Sequence, residues 1–323
     1  MNKVLLDVLR LLSHQDFVSG EQIARRLGCS RATIHNAIQA ANEVGVVVHA
    51  VQGRGYRLAG PLDWLRPASF TERLKAAGFH FHYFESLPST NSYLLDESRK
   101  GAPHRTVAIA EWQTQGRGRR GRTWLAPLGN GLAFSLLWRS GRPAAELSGL
   151  SLAVGVALVG ALQRLGLMQA NVKWPNDIVV QGEKLAGVLI ELSGDMLGPS
   201  AAVIGVGINL QGGNELGQSI GQPVTDLSSH LGLVDRNEVF VALLTALDEG
   251  LARFERVGFV AFQEEWNHCH AYHERTVDVI TGQGERITGL AKGVDELGAL
   301  LLDTRDGLRR FHSGEVSLRG VET

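Results

Sequence analysis

Cysteine is almost missing from this chain: there are two, Cys29 and Cys269, in 323 residues. So far apart, they imply no disulfide framework, and a reducing cytoplasm suits them. Net charge is almost missing as well, at −1. The molecule as a whole is therefore not built to bind a polyanion. No apolar run reaches membrane length. The strongest uncharged stretch, residues 147–162, contains Ser and Gly and is short for a span, so it reads as a buried helix. The opening MNKVLLDVLRLL has Asp7 and Arg10 inside its apolar residues, unlike a signal-peptide core. The expectation is a soluble, cytoplasmic protein with no membrane partner. Familiar catalytic patterns are missing too. There is no P-loop spacing, no carboxylate pair, no Ser/His/Asp set and no catalytic cysteine. What is present, 44% hydrophobic and 20% charged residues, suits an ordered globular protein. The length allows two or three domains.

Charge is uneven along the chain. Residues 1–60 carry seven Lys and Arg against four Asp and Glu, a net of +3 on a mildly acidic remainder. Residues 4–12 have helical apolar spacing. Ser19-Gly20-Glu21 starts a second helix with Ile23, Ala24 and Leu27 on one face. Gly28-Cys29 makes a turn, and Ser30 caps a third helix that turns Ile34 and Ile38 inward. This is helix–turn–helix spacing. Two strands around Gln52-Gly53-Arg54-Gly55 add a wing. The third helix would expose Arg31, Thr33, His35, Asn36 and Gln39, types that read base edges, while Arg54 and Arg57 on the wing suit phosphates. Such a head binds DNA or serves protein contacts only; the basic balance favours DNA.

Residues 116–122 read GRGRRGR, four arginines and three glycines. Arginine offers a donor fork matched to phosphate, and glycine lets the backbone come close. Alone, this is a cradle for an anionic ligand, a solvated basic loop or a nucleic-acid patch. Elsewhere in the body, a strand at 79–85 leads into Ser89-Thr90-Asn91 and a helix from about Tyr93. Those three residues either cap the helix or offer hydroxyl and amide groups to a ligand. A strand at 106–111 leads through Trp112 and Gln113 to the arginine loop. Trp124, just beyond it, stacks on a planar base or packs in the core. Lys173-Trp174-Pro175-Asn176-Asp177 forms a rigid turn between a helix and a strand. Lys184-Leu185-Ala186-Gly187 precedes an apolar strand. A small-residue strand ends in Gly207-Ile208-Asn209, which suggests close approach to a ligand. Residues 193–202 and 211–225 read as Gly-rich loops. His268, Cys269, His270 and His273 could bind a metal; the reading taken is a solvated helix end and no metal.

The order of these motifs resembles the biotin–protein ligases, specifically the bifunctional bacterial BirA type that is also the biotin operon repressor. The resemblance spans essentially the whole chain. It is carried by Ser89-Thr90-Asn91, GRGRRGR with Trp124, KWPND at 173–177, KLAG at 184–187 and Gly207-Ile208-Asn209. The end, Gly293-Val294-Asp295 through residue 319, resembles the family's small SH3-like β-barrel. The fold this implies is α+β and multidomain: a winged helix–turn–helix at residues 1–62, a class II synthetase-like α/β ligase domain with a mixed sheet at 63–272, and the barrel at 273–323. The implied reaction joins biotin to AMP at the expense of ATP, with Mg²⁺. It then passes biotin to a lysine of the biotin carboxyl carrier protein of acetyl-CoA carboxylase. Biotinyl-5′-AMP would be the corepressor for a homodimer on biotin operator DNA.

By motif position, the resemblance implies that Lys184, Arg119, Asp177 and Lys173 carry the chemistry. Ser89, Thr90, Asn91, Gln113, Arg117, Gly118, Arg119, Lys184 and Gly187 would bind biotin. Arg117, Arg119, Arg120, Arg122, Trp124, Asn176, Lys184 and Asn209 would bind ATP and the adenylate. Two other readings share these motifs: a ligand sensor that no longer catalyses, and a lipoate-type ligase. Trp124 after the arginine loop favours biotin.

Overall fold

A computed structural model describes residues 3–194, 199–281, 284–312 and 317–320. The head folds as its spacing predicts. Helix α1 (Lys3–Leu11) buries Leu5, Leu6, Val8 and Leu9. Helix α2 (Gly20–Leu27) is capped by the Ser19 side chain and ends on Gly28, whose φ of 64° needs no Cβ. Helix α3 (Arg31–Glu43) is capped by Ser30 and buries Ile34, Ala37, Ile38 and Ala41. Strands β1 (Val48–Val51) and β2 (Gly55–Leu58) form the wing. Val18 adds to it by exchanging backbone hydrogen bonds with Tyr56, at 2.8 and 2.9 Å. Only glycine fits at Gly55, where a Cβ would lie 2.2 Å from the Val18 carbonyl oxygen.

The body begins with α4 (Thr71–Ala76), β3 (His80–Leu87), α5 (Thr90–Arg99), β4 (Thr106–Gln113), β5 (Gly131–Pro143) and α6 (Leu150–Arg164). It continues with β6 (Ala170–Lys173), β7 (Asp177–Val180), β8 (Glu183–Gly194), β9 (Pro199–Asn209), α7 (Gly213–Ile220), α8 (Ser228–Leu231), α9 (Arg236–Val257) and α10 (Gln263–His268). The strands make one mixed sheet in the order β3-β4-β5-β9-β8-β7-β6, with β3–β4 parallel and the rest antiparallel. Alternation along the strands splits the core. Val107, Leu136 and Ile204 join the main cluster with α6 and α9, whereas Ala108, Leu137 and Val203 pack under Leu94 of α5. Helix α6 is buried on nearly every side, which is why its sequence lacks a polar face. No helix among the described residues is long and apolar enough to cross a membrane.

Several elements differ from the sequence reading. The helix after Ser89 starts at Thr90, not near Tyr93, because the Ser89 hydroxyl caps it by accepting from Ser92 N. KWPND does not join a helix to a strand; it turns between antiparallel strands β6 and β7, with a cis Trp174–Pro175 bond. Residues 193–194 and 199–202 are strand, with 195–198 outside the described residues. Residues 213–220 are helix α7 despite two glycines.

The C-terminal part comprises β10 (Thr276–Ile280), β11 (Arg286–Val294), β12 (Leu300–Thr304), β13 (Gly307–Phe311) and β14 (Ser317–Gly320). It is an antiparallel sheet in the order β13-β12-β11-β10-β14. These five strands form the C-terminal β-rich unit. Part of the stretch at 293–319 that resembles the family's barrel, residues 313–316, lies outside the described residues. Trp174 Nε1 donates to Gly298 O at 3.2 Å and thereby ties this sheet to the KWPND turn.

Head and body meet on β3 and β4. Trp112, Leu128, Leu62 and Trp64 pack against the head's core. Arg10 of α1 lies over the Trp64 ring, pairs with Glu85 and donates to Tyr83 OH. Behind them, Glu111 and Arg236 form an ion pair that is all but inaccessible to solvent.

Candidate active site

The residues that the motifs single out for ligation gather around one cleft of about 1100 Å³ at the β4–β5–β9–β8–β7 edge of the sheet. Ser89, Thr90, Asn91, Gln113, Arg117, Gly118, Arg119, Arg120, Arg122, Trp124, Lys173, Asn176, Asp177, Lys184, Gly187 and Asn209 all line it. These positions span more than a third of the chain. A convergence this wide is a property of the fold, not of local sequence.

One end is polar and neutral. Thr90 N and Thr90 Oγ1 donate to Gln113 Oε1 at 2.8 and 3.1 Å, so β4 and the start of α5 orient each other. Ser135 Oγ lies 2.7 Å from Thr90 Oγ1 and 2.6 Å from Asn91 Oδ1. Gly205 faces Asn91 closely: a Cβ there would lie 2.2 Å from Asn91 Oδ1.

The middle of the cleft carries paired charge. Lys184 Nζ lies 2.7 Å from Asp177 Oδ1, both partly exposed. A bulge makes this possible. Asp177 pairs with Gly187, yet Val179 pairs with Lys184, so one extra residue of β8 sits between the pairs. That shift turns Lys184 to the same face as Asp177. Lys184 Nζ also lies 5.7 Å from the centroid of the Trp124 ring. Trp124 in turn rests on Gly207, where a Cβ would be 2.3 Å from the indole. Trp124 therefore packs against the sheet and walls the cleft at once, with its Nε1 buried and without a partner among the described residues.

The arginine loop forms the lip. It is stitched as a small hairpin by Trp124 N donating to Gly116 O at 2.9 Å and Gly118 N donating to Arg122 O at 2.7 Å. Arg120 is held at φ 58°, a left-handed backbone that suits close turns. Arg119 is half-buried and donates to Asn176 Oδ1 at 3.2 Å. Burial lowers its pKa from the ordinary value; Asp177 opposes this, and Arg120 and Arg122 add to it. An anion among these side chains relieves that repulsion. Lys173 stands at the rim beside the Tyr272 ring. Asn209 lines the cleft and also ties its floor together. Its Nδ2 donates to Thr225 O at 3.2 Å and lies 3.4 Å from Lys184 O, holding residues 223–225 against β8.

The DNA-reading candidates lie apart from the cleft, on the head. Arg31, His35, Asn36 and Gln39 are exposed on α3, while Thr33 is half-buried with its hydroxyl 2.9 Å from Ser30 Oγ. Arg31 pairs with Glu21 at 2.5 Å. Arg54 and Arg57 both lie over the Phe17 ring, at 4.5 and 4.9 Å.

The end of α10 is solvated only in part: His268 and His273 are exposed, but the residues between them turn inward. His270 is buried, stacked on Trp266 at 4.5 Å, and burial pushes its imidazole down to about 3. Cys269 packs beside it, and burial raises its thiol to about 11. Sequence reasoning also missed Ser135, Gly205 and Glu191. The small-residue strand around Gly205 hinted at close packing; nothing local pointed to Ser135 or Glu191.

Fold and cleft together define a ligase that activates an acid with a nucleotide and carries a helix–turn–helix head. Three family models match the chain. They are an HTH domain at residues 4–57, the biotin/lipoate A/B protein ligase family at 83–209 and the biotin protein ligase C terminal domain at 272–319. Among curated relatives, the bifunctional ligase/repressor BirA of Escherichia coli (strain K12) is 37% identical over 99% of both chains. That of Bacillus subtilis (strain 168) is 31% identical over 97% of this chain and 98% of its own. The solved biotin protein ligase from Aquifex aeolicus in complex with biotin and ATP superposes with a TM-score of 0.66 at 31% identity. It covers 75% of this chain and 99% of its own. The chain belongs to the biotin protein ligase family.

Proposed function

We propose that this protein is an ATP-dependent biotin–protein ligase that also represses a biotin operon. The observation that carries the reading is the single cleft: a neutral polar end, a central Lys184–Asp177 pair and an arginine lip. The chemistry asks for these parts. A carboxylate must approach a triphosphate, and the two repel unless cations hold both. Biotin's ring system fits the end formed by Ser89, Thr90, Asn91 and Gln113, and the phosphates fit Arg119, Arg120 and Arg122. The biotin carboxylate attacks the α-phosphorus, the new O–P bond gives biotinyl-5′-AMP, and pyrophosphate leaves. Lys184 stabilises the charge that develops there, with Lys173 at the rim. In the second step the ε-amine of a carrier lysine attacks the acyl carbon and AMP leaves. Asp177 takes up or orients the proton of that amine.

Mg²⁺ fits as an ion that arrives on the triphosphate. Among the described residues no three His, Cys, Asp or Glu side chains gather to hold a metal. Carried by the triphosphate, it would screen the phosphate charge. The sensor-only alternative is disfavoured because the Lys184–Asp177 pair and the whole arginine loop are retained. Biotin-dependent exchange of labelled pyrophosphate into ATP tests the first step. The account expects exchange that needs biotin; exchange indifferent to biotin, or none at all, would overturn it.

The partner for the acyl group is proposed to be a biotin carboxyl carrier protein, and the compartment the cytoplasm. The domains are proposed as residues 1–62, 63–272 and 273–323, in keeping with the spans of the three family matches. The repressor role rests on the head and its exposed α3 side chains. One head is a small interface, so a homodimer on two half-sites is proposed, formed when the adenylate is bound. Ligand then shifts assembly and DNA occupancy by mass action. Footprinting on the promoters of biotin-synthesis genes should need biotin plus ATP. Arg31→Ala should weaken that footprint by about tenfold or more while biotin transfer persists. Protection without biotin, or an Arg31 change that abolishes ligation, would contradict this division of labour.

A further inference from the structure

Glu191 is a carboxylate that stands against two residues lining the cleft, Asn91 and Arg117, where anions have to be admitted. It lies on β8, partly buried, and makes two bonds. Its Oε1 accepts from Arg117 Nη2 at 2.7 Å, and its Oε2 accepts from Asn91 Nδ2 at 3.0 Å. Leu189 O takes the same Asn91 nitrogen at 3.2 Å. With both acceptors on Nδ2, Asn91 Oδ1 is left facing Ser135 and Gly205. A flipped amide would set that oxygen against the Glu191 carboxylate, so the carboxylate fixes the orientation of the Asn91 amide. Arg117 Nη1 also donates to Ser92 Oγ at 3.2 Å, next to Asn91 on α5. The other loop arginines are placed differently. Arg119 turns to Asn176, and Arg120 and Arg122 are exposed at the lip.

We propose that Glu191 is a positioning residue for the acid substrate. It neutralises Arg117 and locks the Asn91 amide, so that Arg117 builds the ring end of the cleft while Arg119, Arg120 and Arg122 serve the phosphates. The proposal rests on the ligase reading and divides the arginine loop into two functions. Charge arithmetic supports the division. An arginine already bonded to a carboxylate adds little attraction for phosphate, and the carboxylate without that arginine would repel the incoming acid.

The test measures biotin-dependent pyrophosphate exchange with biotin and ATP varied separately. Glu191→Ala should raise the KM for biotin about tenfold or more, the scale of a lost charge-assisted hydrogen bond, and raise the KM for ATP far less. Arg117→Ala should show the same split, whereas Arg122→Ala should act on the KM for ATP. Glu191→Ala added to Asn91→Ala should cost less than the two single effects combined, because both remove one interaction. Glu191→Gln, which keeps shape and one acceptor, should fall between wild type and Glu191→Ala. A biotin KM that ignores Glu191 overturns the proposal. So does a parallel rise in both KM values with a lowered melting temperature, which marks a merely structural residue. Wild-type protein without biotin-dependent exchange removes the ligase reading itself, an outcome distinct from active wild type with an unmoved biotin KM.

Discussion

Lys184→Ala should slow formation of the adenylate by about a hundredfold or more, since removing one preorganised charged stabiliser from a reacting centre costs about 3 kcal/mol. Two features of the site make the loss large. The bulge in β8 aims the ammonium at the cleft, 2.7 Å from Asp177, with Trp124 alongside. Removing it also leaves Asp177 as an unpaired carboxylate where an acid and a triphosphate must meet, which adds repulsion. Single-turnover quench-flow with labelled ATP isolates this step from transfer. Adenylation near the wild-type rate would show that Lys184 is an ion-pair partner and no more.

The second large effect concerns stability. Arg236 opens α9, and its guanidinium reaches Glu111 Oε2 at 2.5 Å and Asp63 O at 3.0 Å. Glu111 Oε1 accepts from Leu65 N at 2.7 Å and from Tyr83 OH at 3.2 Å. Burial, with Glu111 next, raises the pKa of that tyrosine, so the phenol stays a donor. One carboxylate thus joins β4, β3, α9 and the segment that leads out of the head. Arg236→Met strands the Glu111 charge in the core and should lower unfolding stability by about 3–5 kcal/mol. Combining it with Glu111→Leu should recover part of that loss, because the desolvated charge is gone. Urea titration followed by circular dichroism measures both. A shift below about 1 kcal/mol for the single variant, the scale of a surface pair, would mean the network is not the tie it is drawn to be.

The candidate site was far more legible in the sequence than the sheet that builds it. Residues such as Lys184, Asp177 and Arg119 are recognisable because their chemistry requires charge in unusual places. Their neighbours across the sheet are not, because strand order is set by contacts remote in sequence. Glu191 meets Asn91 and Arg117 from 100 and 74 residues away, and no local pattern records that. The KWPND turn was misassigned because a short apolar run before a proline fits a helix end as well as a strand end. Helix α7 was hidden by Gly213 and Gly217, whose low helical propensity is offset by Asp226 accepting from Gly213 N and by the left-handed cap at Gly221. His270 looked like a polar chain end because periodicity does not report that a lone histidine can be stacked in a core. The head was legible throughout, since caps, turn glycine and apolar spacing are all local signals.

The most direct test of the central claim is acyl transfer itself. The protein would be incubated with ATP, Mg²⁺, biotin and a biotin carboxyl carrier domain, and the domain analysed by mass spectrometry with peptide mapping. The account predicts one biotin on the acceptor lysine, dependent on both ATP and biotin and lost in Lys184→Ala. A carrier domain that stays unmodified with the wild-type protein, or one modified equally by Lys184→Ala, would contradict it.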